Sequence, residues 1–97
     1  MPTRNVEVWP RADEFISSLA PDSRRQMIAG LRDLRDGRGD TRALHGDLAG
    51  WYRLRVGKFR IIYKESPGQI CDCVFAERRS VVYAIFSKLR ANNLLDR

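Results

Sequence analysis

The stretch Trp51-Tyr52-Arg53-Leu54-Arg55-Val56-Gly57-Lys58-Phe59-Arg60-Ile61-Ile62-Tyr63 decides the fold. Gly57-Lys58 supplies a two-residue turn with glycine first, which suits a tight type II′ connection. That turn sets Val56 against Phe59, Arg55 against Arg60, Leu54 against Ile61 and Tyr52 against Tyr63. Side chains alternate across a strand. Tyr52, Leu54, Val56, Phe59, Ile61 and Tyr63 therefore share one greasy face, the natural core side. Trp51, Arg53, Arg55, Arg60, Ile62 and Lys64 share the other. Like charges placed directly opposite each other destabilise a sheet. Setting Arg55 against Arg60, with Arg53 and Lys64 nearby, makes sense if an anion normally sits among them. The plainer reading is a solvated outer face on which long cationic stems cover apolar surface.

Working outward, charge favours the anion. The chain has 97 residues, with 18 Lys+Arg against 12 Asp+Glu and a net charge of +6. Residues 1–50 hold eight of each sign, whereas residues 51–97 hold ten basic and four acidic side chains. All the excess lies in the half that carries the hairpin. Such asymmetry raises the prior for nucleic acid or an acidic protein partner. Arginine dominates over lysine, and its planar fork suits bidentate phosphate recognition.

The length suits one domain, 1–97, with a modest core. Composition is ordinary globular, without repeats or low-complexity runs. No apolar segment approaches the ~20 residues of a membrane span, and Met1 to Pro10 lacks a signal-peptide core. Cys71 and Cys73, at i and i+2, fall on one face of a strand. That is poor disulfide geometry and too few ligands for a structural zinc. Two reduced, packed thiols in a cytoplasmic protein without a metal or other cofactor are expected.

Upstream, Asn5 to Trp9 alternates as a short strand. Pro10 can start a helix with Ala12, Phe15, Ile16 and Leu19 at helical spacing. Ala20-Pro21 breaks it, and Asp22 or Ser23 can cap a second helix with the stripe Met27, Ile28, Leu31 and Leu34, ended by Gly37. Gly37 to Gly50 reads as a loop anchored by Leu44 and Leu48. Downstream, Ser66-Pro67-Gly68 is a turn and Gln69 to Ala76 a strand. Ser80 can cap a last helix in which Val82, Ile85, Phe86 and Leu89 form one side. Ala91 to Arg97 reads as a frayed tail. The expectation is an α+β fold: an N-terminal strand and helical pair on a small antiparallel sheet, with a short C-terminal helix.

Leu44-His45-Gly46, the hairpin Trp51 to Tyr63, and Arg78-Arg79-Ser80-Val81-Val82-Tyr83 together resemble the RelE/ParE superfamily of bacterial toxins from type II toxin–antitoxin modules. The resemblance spans nearly the whole chain. It implies a RelE-like fold, a cognate antitoxin partner, and one of two targets. RelE-like members are ribosome-dependent mRNA endonucleases acting on mRNA and the ribosome. ParE-like members inhibit DNA gyrase by binding and cut no RNA. By position, Arg53 and Arg55 fall where better-studied RelE-like members have lysines. Arg60 matches the phosphate-binding arginine of the second strand. Arg79, or alternatively Arg78, matches the arginine before the last helix, and Tyr83 the tyrosine of the Arg-x-x-x-Tyr element. Keeping the basic cluster and the tyrosine together favours the RNA-cleaving branch. Arg53, Arg55, Arg60, Arg79 and Tyr83 are the candidate catalytic groups, and Lys58, Lys64, Arg78 and Trp51 the candidate RNA contacts.

The chemistry stands apart from the resemblance. RNA is cut when a ribose 2′-OH attacks the adjacent phosphate in line. An enzyme must hold that geometry, stabilise phosphorane charge and move two protons. Arginines on a rigid hairpin serve the first two needs, and Tyr83 or Trp51 can stack on an unpaired base. Each aromatic has the plainer reading of a half-buried core residue. Arginine is a poor base. His45, the only histidine, could serve if its loop folds over the cationic face, and Glu77 is a second candidate whose plainer role is an ion pair.

Overall fold

The structure, a computed structural model, describes residues 3–95. Its elements run β1 (Asn5–Val8), α1 (Pro10–Ser18), α2 (Pro21–Arg35), β2 (Asp40–Ala43), a 3-10 turn (Gly46–Leu48), β3 (Tyr52–Val56), β4 (Phe59–Ser66), β5 (Ile70–Arg78) and α3 (Val82–Ala91). The five strands form one sheet in the order β1-β5-β4-β3-β2. The hairpin register is the expected one, Tyr52↔Tyr63, Leu54↔Ile61, Arg55↔Arg60 and Val56↔Phe59. Gly57 takes φ +57° while Lys58 keeps a negative φ, as a II′ turn needs. A Cβ there would also lie 2.6 Å from the amide end of the Gln26 side chain on α2, which can swing away, so it is the positive φ that calls for glycine.

The sheet is mixed rather than antiparallel throughout. β1 pairs parallel with β5, while every other pairing is antiparallel. The two helices between β1 and β2 cover one face of the sheet, carrying the chain from one edge to the other. Beneath them Leu54, Val56, Phe59, Ile61, Tyr63, Cys71, Cys73 and Ala76 meet Ala12, Ile16, Leu19, Met27 and Leu34 in the main core. Each large side chain fully buried there contributes about 1.5–3 kcal/mol. Both cysteines are free and buried. Burial, then Cys71 and Asp72, push the Cys73 thiol up to about 12.

Four local expectations are corrected. Both N-terminal helices start on proline, with Pro21 at the first helical position of α2. Neither Asp22 nor Ser23 caps it; Asp22 instead puts negative charge in the first turn. Ser80 does not cap α3 either, whose N-cap is Val81 without a side-chain bond. The Gly37–Gly50 loop contains β2, an exposed edge strand. The tail is ordered to Leu95: Asn93 turns at φ +55°, and the Leu94 N–H closes on the Leu89 carbonyl at 2.8 Å. Met1, Pro2, Asp96 and Arg97 lie outside the described residues.

The hairpin's second face is not simply solvated. β5 carries one extra residue, Val74, where Ile62↔Phe75 is followed by Tyr63↔Cys73. This bulge turns both Val74 and Phe75 toward α3. They join Ile62, Val82 and Phe86 in a second core, flanked by Trp9, Leu44, Leu48, Trp51, Tyr83 and Leu89. α3 therefore covers the middle of the face and divides what remains into two ends. No described helix is long and apolar enough to cross a membrane.

Candidate nucleic-acid interface

At the turn end of the hairpin, three arginines meet. Arg55 lies opposite Arg60 on β4 and opposite Asp40 on β2, so all three side chains share one face. The Asp40 carboxylate reaches two guanidiniums. Its Oδ1 is 3.2 Å from Arg53 Nη1 and its Oδ2 is 3.9 Å from Arg55 Nη1. Arg53 also donates to the Asp40 main-chain carbonyl at 3.0 Å. The two arginines are held very differently: the Arg53 side chain is 12% exposed and that of Arg55 53%. Arg53 clamps the edge strand, while Arg55 is tethered loosely and faces water. The anion among these cations is the protein's own Asp40 carboxylate.

Arg60 is fixed by its own backbone. Nη1 donates to the Gly57 carbonyl at 2.9 Å and the Phe59 carbonyl at 2.8 Å. Both Nη1 protons are thus committed, and the Nε–Nη2 edge carries the donors left for other acceptors. One neighbour on offer is the Tyr83 hydroxyl, near enough to interact with the guanidinium. Burial pushes Arg60 below its ordinary value; Tyr83 opposes this, and Arg55 and Arg53 add to it. The group stays cationic at neutral pH. A half-buried cation with like-charged neighbours is a site of strong positive potential. On its other side Glu77 is its directly paired residue on β5. The Glu77 carboxylate accepts the Arg78 backbone N–H at 2.7 Å, and among the described residues no cationic side chain lies within 4.0 Å of it.

The remaining candidates scatter. Arg78 pairs with the core residue Phe59, so alternation sends it toward the α1–α2 face at the end of β5. Arg79 is exposed at the β5–α3 turn, its N–H bonded to the Lys58 carbonyl at 2.9 Å, which keeps it beside the hairpin turn. Lys58 is exposed, with its ammonium 5.6 Å from the Phe59 ring. Lys64 shares a face with Arg60 but lies four residues on, ~13 Å away along the strand. Its ammonium sits 5.1 Å from the Trp9 ring and 5.7 Å from Trp51. Trp51 packs edge-on against Phe86 at 5.0 Å, at the far end of α3. A cleft of about 320 Å³ opens there, lined by Trp9, Trp51, Lys64, Arg90, Asn93 and Leu95. His45 follows β2 at this same end, beside Trp51. It lies past the edge strand, just before the 3-10 turn, at the opposite end of β2 from Asp40, so it does not fold over the arginines.

The turn end can thus bind an anion with fixed and mobile guanidiniums, and it adds a tyrosine hydroxyl and a carboxylate at the same point. Among the described residues no group of three or more His, Cys, Asp and Glu is placed to hold a metal ion. Asp40 was missed from sequence; its only available signal was a strand-length spacing ahead of the hairpin, hidden among glycines.

Neither a family model nor a curated protein sequence matches the chain. Solved structures do. The toxin–antitoxin complex RelBE2 from Mycobacterium tuberculosis contains a chain that superposes with TM-score 0.71 at 20% identity, over 82% of this chain and 95% of that one. The archaeal RelE–RelB complex from Pyrococcus horikoshii gives 0.61 at 23% identity, over 79% and 96%. The YoeB/ParE toxin from Agrobacterium tumefaciens gives 0.60 at 16%, over 77% and 98%. These superpositions show a shared fold: the five-stranded sheet with α1–α2 on one face and α3 on the other is a RelE-like fold.

Proposed function

We propose that the protein is the toxin of a type II toxin–antitoxin pair and acts as an mRNA endonuclease on the ribosome. The observation that carries this reading is the Arg60–Tyr83 pair, flanked by Arg55 and Glu77 at the uncovered end of the sheet. Arg60, its Nη1 locked on two carbonyls, presents a fixed fork to a scissile phosphate. Such a group acts most strongly when charge grows on the non-bridging oxygens. Arg55 and Arg79 add charge from the neighbouring strand and turn. The 2′-OH attacks in line; Glu77, the carboxylate paired with Arg60, accepts its proton, and Tyr83 beside the guanidinium donates to the leaving 5′-oxygen or orders the phosphate. The ribosome supplies the mRNA in an accessible, unpaired form. A cognate antitoxin, as in the complexes of similar fold, would silence the site by covering the cationic end or displacing α3.

Expression of the chain alone in bacteria, followed by primer extension on translated messages, tests this. Cuts inside translated codons together with growth arrest are expected. Growth arrest with intact mRNA and inhibited supercoiling would assign the protein to gyrase instead.

A further inference from the structure

The Asp40 carboxylate puts one oxygen toward Arg53 and the other toward Arg55. A phosphodiester would present its two non-bridging oxygens to a guanidinium pair in the same way. We infer that Arg53 and Arg55 form a second phosphodiester subsite, beside the one at Arg60, and that Asp40 is its resident counter-ion, displaced when the RNA backbone arrives. The inference rests on the RNA reading above and adds to it a gated neighbouring subsite.

Three observations support it. Asp40 is directly opposite Arg55, which is directly opposite Arg60, so the two subsites adjoin across one sheet face. The Asp40–Arg55 contact is long, 3.9 Å, and both side chains are 53% exposed. Exposed pairs of that kind hold weakly and exchange readily with a stronger anion. Arg53, by contrast, has a second bond, to the Asp40 main-chain carbonyl at 3.0 Å, that does not involve the carboxylate. Displacement therefore frees Arg55 without unpinning the edge strand. At rest the carboxylate relieves the repulsion between Arg55 and Arg60 and lowers the attraction of the face for any passing polyanion.

The test is binding of a fluorescein-labelled, uncleavable 2′-O-methyl single-stranded RNA to the full chain, followed by anisotropy across a salt series. Asp40→Asn should bind about fivefold more tightly at low salt, the effect of one unit charge at ~4 Å in water. Its log–log salt slope should steepen by about 0.7, one further phosphate contact on a single strand. Asp40→Glu, which keeps the charge, should stay near wild type in both. Asp40→Ser provides a second neutral variant should Asp40→Asn fold poorly by circular dichroism. A neutral Asp40 variant that folds but binds with unchanged affinity and slope would overturn the inference, and so would weaker binding. The RNA reading would survive either result if Arg60→Ala still weakened binding. Absence of binding by the wild type at low salt would instead overturn the RNA reading itself.

Discussion

The two ends of the α3-side face begin from similar sequence and arrive at opposite environments. Arg60 and Lys64 sit on one strand, on one face, separated by Ile62. At Arg60 the cation is braced by main-chain carbonyls and surrounded by further arginines, a tyrosine and a carboxylate. At Lys64 the cation lies between two tryptophan rings, one of which packs on Phe86. The difference comes from α3. Its buried side chains, Val82 and Phe86, settle over Ile62, and its C-terminal half closes on Trp51 while only its first turn reaches Arg60. Alternation decides which face a cation takes; the helix packed on that face decides whether the cation is free to bind.

The largest way to break this contrast is to remove what holds α3 down. Phe86 is fully buried, its ring 5.0 Å from Trp51 and 6.1 Å from Phe75. Phe86→Ala should cost about 3–5 kcal/mol in urea unfolding. Loss under 1 kcal/mol would mean that α3 does not divide the face.

Next in size is Arg60→Ala. It should be folded by circular dichroism yet fail to arrest growth, from a loss of about 10²–10³ in cleavage rate. Arg60→Lys should restore little, because an ammonium cannot replace the fork. A toxic Arg60→Ala strain would remove the turn end from the mechanism.

Tyr83 sharpens the contrast further. If its hydroxyl works beside Arg60, Tyr83→Phe should lose about tenfold in single-turnover cleavage, the order expected for one hydrogen bond to a charged group. Tyr83→Phe retaining full activity with Tyr83→Ala impaired would mean the ring only stacks.

The smallest effect concerns the closed face below. Cys73 is raised to about 12 and Tyr63 is raised too, both chiefly by burial. The folded state holds these protons more tightly than the unfolded chain. Their stability contribution is therefore complete below the ordinary thiol range and is lost as pH climbs toward 12. Unfolding free energies from urea titration should be level from neutrality to about pH 8 and fall beyond it, by about 1.5–2 kcal/mol near pH 10. A flat profile to pH 11 would mean that water reaches the thiol.

The hairpin, its register and its two faces were legible because a two-residue glycine turn leaves one pairing and alternation then assigns every side chain. The helices were legible from spacing, though their first residues were not: proline at the first helical position displaced the polar caps that the sequence also offers at Asp22 and Ser23. β2 was not legible. Asp40-Thr41-Arg42-Ala43 is exposed at all four positions and has no hydrophobic alternation, so nothing local marks it as a strand. Only pairing with β3 makes it one. The Asp40 carboxylate, which reaches Arg53 and Arg55, therefore stayed hidden in the sequence. The bulge at Val74 was equally silent, since an extra residue in an apolar run changes no pattern until a partner strand counts it. For the same reason Lys64 and Trp51 were grouped with the arginines, when α3 takes them into a separate end.

The most direct test of the central claim compares two single-charge removals on the same strand. Single-turnover mRNA cleavage on programmed ribosomes would be measured for wild type, Arg60→Ala and Lys64→Met, with circular dichroism confirming each fold. An active site at the turn end predicts a fall of about 10²–10³ for Arg60→Ala and less than about threefold for Lys64→Met, whose ammonium mainly serves two tryptophans in a contact of roughly 0.5–1 kcal/mol. Equal losses in the two variants, or full activity in Arg60→Ala, would contradict it.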